Sequence, residues 1–191
     1  MSAPESHVAL LRGINVGGAH IVEMGILKRE FEGMGFAMVR TYINSGNVVF
    51  RAVAPDREAL RERIERTLAG VLGDRIPVLV RSRREIEDTI AHVPPVFDDP
   101  AWKHNVIFLS PEIDSPDLLA RFTPKPGIEV NSWHPGVLFW SARWDAGTRA
   151  IMYRLSSRPE YQAMTVRSVG TVRKVLDLMT ELDRVPPPAG T

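Results

Sequence analysis

The sequence has no cysteine among its 191 residues. This absence excludes disulfide bonds, cysteine nucleophiles, cysteine-ligated zinc and iron–sulfur clusters, and it favours a reducing compartment. No apolar run approaches the ~20 residues that a membrane-spanning helix needs. Residues 1–7 also lack the basic and apolar segments of a signal peptide. We therefore expect a cytoplasmic protein with no membrane partner.

The chain also lacks an excess of charge of either sign, since 24 basic residues face 23 acidic ones. A net charge of +1 gives no strong attraction to nucleic acid, which is therefore an unlikely partner. Several catalytic and cofactor motifs are missing as well: the Walker A loop, the Rossmann glycine fingerprint and the nucleophile elbow of serine hydrolases. No catalytic residue and no cofactor is predicted, and an enzyme is the less favoured reading.

The histidines show no pattern typical of a metal site. None of them is two or four residues from another histidine, so a site would have to assemble from distant segments. The sequence therefore predicts no metal ligand. The five are His7, His20, His92, His104 and His134.

What the chain does contain is a regular alternation of strands and helices. Hydrophobic residues make up 44% and charged residues 25%, which is typical of a globular protein. In the first half, the apolar patterns predict strands at 7–12, 38–43, 48–50 and 76–81. Two helices with periodic apolar positions separate them, and a third follows the last strand. The order is β-α-β-β-α-β plus a helix.

The second half repeats this order. Strands are predicted at 105–109, 128–133, 137–142 and 162–167, with helical segments at 116–122 and 150–155 and a C-terminal helix from Val169. The tripeptide Val-Arg-Ser occurs at residues 80–82 and again at 166–168, each time between a strand and a helix. We predict an α+β sandwich of two tandem ferredoxin-like βαββαβ subdomains. They span residues 1–93 and 104–184, each with an extra helix, and a connector at 94–103 and a tail at 185–191 complete the chain.

The first subdomain also predicts where a ligand could bind. In a ferredoxin-like sheet the first two strands run parallel with the third between them, so their C-terminal ends lie at one edge. That edge would gather Arg12, the glycine-rich loop at 13–18, the start of the first helix and the hairpin at 44–47. Glycines allow close approach of a ligand, and a guanidinium can bind phosphate or carboxylate through two donors. Asn15, Asn44, Ser45 and Asn47 add neutral polar groups.

Other interpretations of these residues stay open. The glycines and asparagines could serve only the turns, and Arg12 could pair with a structural carboxylate. Our leading hypothesis is a binding module for a small anionic or nucleotide-like ligand. The alternatives are a non-catalytic interaction protein or homo-oligomer, favoured by the tryptophan-rich hairpin around residues 133–144, and an enzyme with its site between the subdomains.

The stretches Ala-Leu-Leu-Arg-Gly-Ile-Asn-Val-Gly-Gly at 9–18 and Val-Arg-Thr-Tyr-Ile-Asn-Ser-Gly-Asn-Val-Val-Phe at 39–50 are also recognisable. With them the chain resembles the bacterial domain of unknown function family 1697. The resemblance implies tandem ferredoxin-like subdomains and no assigned activity. It carries over a set of candidate site residues: Arg12, Gly13, Asn15, Gly17, Gly18, Tyr42, Ser45, Gly46 and Asn47.

Overall fold

The structure, a computed structural model, describes residues 4–15, 21–53 and 56–185. The chain divides into two compact units. One consists of Met1–Glu87 with Lys174–Thr191, and the other of Asp88–Arg173. Within the described residues, no helix is both long enough and apolar enough to span a bilayer.

The first unit contains a four-stranded antiparallel sheet in the order β2-β3-β1-β4. β1 and β2 each pair antiparallel with β3, so they run parallel to one another on either side of it. This is the strand order of a ferredoxin-like fold, as predicted. The elements are β1 (Glu5–Leu11), α1 (Met24–Gly33), β2 (Ala37–Tyr42), β3 (Asn47–Ala52), α2 (Arg57–Leu72), β4 (Val78–Ser82) and α3 (Arg83–Ala91), whose residues from Asp88 onward belong to the second unit.

The core of this unit forms where α1 and α2 bury their apolar stripes against one face of the sheet. Leu27 and Phe31 of α1 and Ile64 of α2 are fully buried there, against strand residues such as Phe50. Asp56 starts α2 as predicted, because its carboxylate accepts a hydrogen bond from the Glu58 N–H at 2.9 Å.

The C-terminal helix α5 (Val169–Arg184) contributes side chains to the first unit. Arg40 of β2 contacts Glu181 at 2.6 Å, and the Ser6 hydroxyl donates to Asp183 at 2.9 Å. Arg51 of β3 donates to the Val185 carbonyl at 2.7 Å. One polar residue from each of β1, β2 and β3 is thus hydrogen-bonded to α5 or to the residue that follows it.

The second unit repeats the topology with a sheet in the order β6-β7-β5-β8. Its core includes Trp140, which is fully buried and packs against Phe122 with ring centroids 5.3 Å apart. Trp144 is instead 59% exposed. The elements are β5 (Trp102–Leu109), α4 (Leu118–Arg121), β6 (Glu129–His134), β7 (Val137–Arg143) and β8 (Met164–Arg167).

The predicted helix at 150–155 is wrong as an α-helix. The segment between β7 and β8 forms successive 3₁₀ turns, at Trp144–Arg149, Met152–Ser157 and Pro159–Ala163. Gly147 interrupts the first with φ of 52°, and Pro159 restarts the last. Extended residues separate the turns, namely Ala150 with ψ of 137° and Arg158 with ψ of 140°, and Arg158 is extended as residues before a proline usually are.

The repeated Val-Arg-Ser tripeptide makes matching hydrogen bonds in both units. Arg81 and Arg167 each donate to the carbonyl of the preceding valine at 2.9 Å. Ser82 forms the predicted capping box with Glu85 at the start of α3. Ser168 accepts a hydrogen bond from the Thr171 N–H at 3.1 Å at the start of α5. The predicted internal repeat is therefore confirmed in its local interactions.

Candidate functional site

The ends of β1 and β2 meet at the start of β3, as the topology predicts. Asn47 lies opposite Leu10 of β1 on one side and opposite Tyr42 of β2 on the other. Just beyond, the Leu11 N–H donates to the Gly46 carbonyl at 2.8 Å. We call the surface formed by residues 12–15, 21–24 and 42–47 the β1–β2 rim. Of the predicted site residues, Gly17 and Gly18 lie outside the described residues.

Asn15 holds the β1–β2 rim together through its side-chain amide. Its Nδ2 donates to the Val22 carbonyl at 2.9 Å and to the Asn44 carbonyl at 2.8 Å. Its Oδ1 accepts from the Val22 N–H at 2.8 Å. One side chain therefore joins the loop after β1, the segment before α1 and the β2–β3 hairpin.

Gly46 lets the hairpin approach the end of β1 closely. Its φ is +74°, and a Cβ at this position would lie 2.8 Å from both the Leu11 Cβ and the Ile14 Cδ1. Gly13 has a similar φ of +72° but no atom within 4 Å of such a Cβ. Gly46 is therefore required by packing and backbone conformation, whereas Gly13 is required by conformation alone.

Asn47 fixes the shape of the hairpin from inside. It is fully buried, and its Nδ2 donates to the Tyr42 carbonyl and to the Ser45 hydroxyl, both at 3.1 Å. A buried side-chain amide destabilises the fold unless its N–H groups are hydrogen-bonded. The side chain of Asn47 thus has a structural role, as that of Asn15 does.

Arg12 and Gly13 follow β1 directly and form the other side of the β1–β2 rim. The Arg12 N–H donates to the Pro77 carbonyl at 2.9 Å, which ties the loop to the residue just before β4. The Arg12 side chain is half-buried, and Gly13 is exposed. Asn44 is exposed as well, while Tyr42 and Ser45 are half-buried. The structure thus brings together all the described candidates, with polar groups reaching the surface.

Ile43 in the same hairpin has an unfavourable backbone conformation. Its φ is +46°, a left-handed value that β-branched residues rarely adopt, and its side chain is 48% exposed. Packing of an exposed side chain does not explain this conformation. The hydrogen bond from Asn15 to the following carbonyl, that of Asn44, holds the peptide in place.

Comparison with known proteins fits this architecture. The model of the family described as "Protein of unknown function (DUF1697)" matches residues 5–139. The chain is a member of the DUF1697 family. No curated protein matches the chain.

A solved structure shows the same fold over nearly the whole DUF1697 chain. It is that of the conserved bacterial protein SP0830 from Streptococcus pneumoniae, with a TM-score of 0.81 and 24% sequence identity. The match covers 93% of this chain and 99% of that one. At this level of identity the similarity establishes the fold alone.

The second unit of this DUF1697 protein holds a cluster that the sequence did not predict. Asp88, His92 and His134 each place a possible metal-ligand atom within 4.8 Å of the others. The Asp88 Oδ2 lies 2.6 Å from the His134 Nε2, and the Asp88 Oδ1 lies 3.4 Å from the His92 Nδ1. The two imidazole rings stack with centroids 3.9 Å apart.

Part of this cluster had a signal in the sequence. Asp88 and His92 are four residues apart at the end of α3, a spacing that places two side chains on one helix face. A search for histidine pairs alone misses an aspartate–histidine pair. His134 lies at the end of β6, and only the tertiary structure brings it to the helix.

Proposed function

We propose that this DUF1697 protein binds a small anionic ligand, carrying a phosphate or carboxylate group, at the β1–β2 rim. The observation that supports it best is the double hydrogen bond from Asn15 to the Val22 and Asn44 carbonyls. It fixes three separate segments around the loop that carries Arg12. A preorganised loop lowers the entropic cost of binding, which is a common property of ligand sites.

The residues of the β1–β2 rim divide into two groups. The first group holds the rim together. Asn15 and Asn47 do so through side-chain hydrogen bonds, and Gly46 allows close packing because it has no Cβ. We assign ligand contact to Arg12, the Gly13 backbone, Asn44 and Ser45, which reach the surface. In this arrangement the guanidinium supplies charge and two donors, and the neutral groups orient the anion.

Two exposed isoleucines extend the proposal to the rest of the ligand. Ile21 is 81% exposed and precedes Val22, while Ile43 precedes Asn44. Both therefore directly precede residues that are hydrogen-bonded to Asn15. Exposed apolar side chains next to polar groups are typical of sites that bind molecules with both characters. We assign to the ligand an apolar part beside its anionic group.

The backbone strain at Ile43 also supports a ligand at this position. A β-branched residue at positive φ costs of order 1–3 kcal/mol, and such costs persist mainly at functional sites. Packing of the Ile43 side chain does not explain the strain, because the residue is 48% exposed, and the hydrogen bond from Asn15 to the Asn44 carbonyl holds the strained peptide in a fixed position for a ligand.

A thermal-shift screen with inorganic phosphate, nucleotides, phosphosugars and acyl carboxylates tests the proposal. We expect at least one class to raise the melting temperature of the natural chain, and Arg12→Ala to abolish that shift. Arg84→Ala is the control, because Arg84 is an exposed arginine that follows β4 at the end of the sheet opposite Arg12. It removes the same charge and should retain the shift.

Two results would contradict the proposal. One is the absence of a shift with every compound class at millimolar concentration. The other is an equal shift in the natural chain, Arg12→Ala and Arg84→Ala, which would locate binding elsewhere.

A further inference from the structure

We propose that Asp88, His92 and His134 form a binding site for a divalent transition-metal ion of the zinc class. All three belong to the second unit, and their ligand atoms lie within 4.8 Å of one another. Asp88 and His92 come from the end of α3, and His134 comes from the β6–β7 hairpin. The site is separate from the β1–β2 rim and does not depend on the function proposed there.

The chemistry of the three donors selects the metal. Two imidazole nitrogens and one carboxylate oxygen suit Zn²⁺, Co²⁺ or Ni²⁺. Mg²⁺ and Ca²⁺ prefer sets of oxygen ligands and are not expected to bind here. Three protein ligands leave at least one position for water, as in zinc sites that have an open position.

His92 is already oriented as metal-binding histidines usually are. Its Nδ1 lies 2.8 Å from the backbone carbonyl of Asp88, which can only accept, so Nδ1 carries the proton and donates it. The neutral ring then has its lone pair on Nε2. Metal-ligating histidines commonly donate their other ring N–H to a backbone carbonyl in this way, which fixes the tautomer. Nε2 of His92 is therefore the ligand atom of this tautomer, and because Nδ1 is the nitrogen that lies 3.4 Å from the Asp88 Oδ1, the exposed ring must rotate to present Nε2 to the ion.

The direct contact between Asp88 and His134 marks the position of the ion. The Asp88 Oδ2 and the His134 Nε2 lie within hydrogen-bonding distance, at 2.6 Å, and the metal would take the place of the proton between them. Zinc binds nitrogen and oxygen at about 2.0–2.1 Å, which holds neighbouring ligands about 3.4 Å apart. Ligand atoms that lie up to 4.8 Å apart must therefore approach one another by up to about 1.4 Å.

The side chains have room for this adjustment. Those of Asp88 and His92 are about half exposed, at 52% and 51%, and that of His134 is 20% exposed. Exposed side chains change rotamer readily, so closing the cluster needs no movement of the core. The same exposure lets the ion enter from solvent.

Titration of the untagged, chelator-treated full chain with Co²⁺ tests the site. Co²⁺ bound by nitrogen and oxygen ligands gives visible absorption bands, and Zn²⁺ should displace it. We expect one ion per chain and a higher melting temperature with Zn²⁺ but not with Mg²⁺. Asp88→Asn, His92→Ala and His134→Gln should each weaken Zn²⁺ binding by at least about tenfold.

Two control variants preserve the rest of the surface. Glu87→Gln changes the carboxylate next to Asp88, and His104→Gln removes a histidine whose two ring nitrogens contact Ser141 and the Asp99 carbonyl. Both should bind Co²⁺ as the natural chain does. The His92 side chain is half exposed at the end of the helix, so His92→Ala should fold and tests the site even if His134→Gln does not fold. Co²⁺ bands that are absent in the natural chain, or equally strong in all three ligand variants, would overturn the proposal.

Discussion

The side-chain amide of Asn15 donates a hydrogen bond to the backbone carbonyl of Asn44 at 2.8 Å, although the residues are 29 positions apart. Asn15 itself has a left-handed backbone, with φ of 54°, which asparagine tolerates better than most residues. Asparagine at this position therefore has two roles: it adopts the positive φ of the turn after β1, and its side chain connects that turn to the hairpin. This connection gives the first prediction.

Replacing Asn15 by alanine should lower the free energy of unfolding by about 1–3 kcal/mol. The change removes two donors and one acceptor and leaves the Val22 N–H and two carbonyls without these partners. Urea unfolding monitored by tryptophan fluorescence measures the effect. Asn44→Ala is the control, because Asn44 takes part through its backbone carbonyl, and its midpoint should stay nearly unchanged. Equal midpoints for both variants would contradict the structural role of Asn15.

Gly46→Ala should destabilise the protein more than Gly13→Ala does. Both glycines have a φ just above +70°. Placing alanine in this left-handed conformation therefore destabilises either variant by about 1–2 kcal/mol. Only at Gly46 does the new methyl group also collide with Leu11 and Ile14, which adds about 1–3 kcal/mol and brings the total to about 2–5 kcal/mol. Chemical denaturation of the two variants measures the difference. A Gly13→Ala variant as unstable as Gly46→Ala would show that close packing is not what requires Gly46.

Ile43→Asn should stabilise the chain by about 0.5–1 kcal/mol, because asparagine accepts a positive φ at lower cost than a β-branched residue. Since Ile43 is 48% exposed, little packing is lost. Denaturant unfolding gives the change, and Ile21→Asn, which removes an exposed isoleucine in the same β1–β2 rim, is the control. A loss of stability above about 1 kcal/mol in Ile43→Asn would mean that the conformation is not strained.

The buried imidazole of His7 should make the protein less stable as the pH falls. Burial lowers the pKa of His7 below its ordinary value of 6.5 and outweighs the opposing fields of Glu5, Glu85 and Asp183. The unfolded chain takes up a proton near pH 6.5, whereas the folded chain resists until a lower pH. The free energy of unfolding must therefore decrease as the pH drops through this window.

His7→Gln isolates this contribution. Urea unfolding across the window below pH 6.5 should show a smaller pH dependence in the variant than in the natural chain. Every other residue is the same in both proteins, so the difference between the two slopes belongs to His7. Identical slopes would mean that the imidazole is protonated equally in the folded and unfolded chains.

Much of the fold could be predicted because its signals are local. The Asp56 cap, the capping box of Ser82 and Glu85 and the repeated Val-Arg-Ser tripeptide all depend on residues a few positions apart. Alternation of apolar residues located the strands to within a few positions. The segment after β7 failed because apolar residues at 150–155 suggest a helix, while Gly147 and Pro159 break the backbone into 3₁₀ turns.

The sequence predicted which segments share an edge of the first sheet, but not what each residue does there. Strand order implies that residues 12–15 and 44–47 share an edge, and the structure confirms it through the Leu11–Gly46 hydrogen bond. The sequence could not assign roles within that edge. Asn15 and Asn47 looked like ligand donors, but the described structure uses their amides to hold backbone carbonyls.

The sequence by itself determined the two ferredoxin-like repeats, the family and the edge of the first sheet at which a site is expected. Only the tertiary structure decided which asparagines hold that edge together. It also showed that a side chain at position 46 would collide with Leu11 and Ile14, and that His134 lies beside Asp88. The reason is physical. Helix caps and strand periodicity arise from interactions between near neighbours along the chain, whereas a contact between residues 46 positions apart depends on how every intervening element packs.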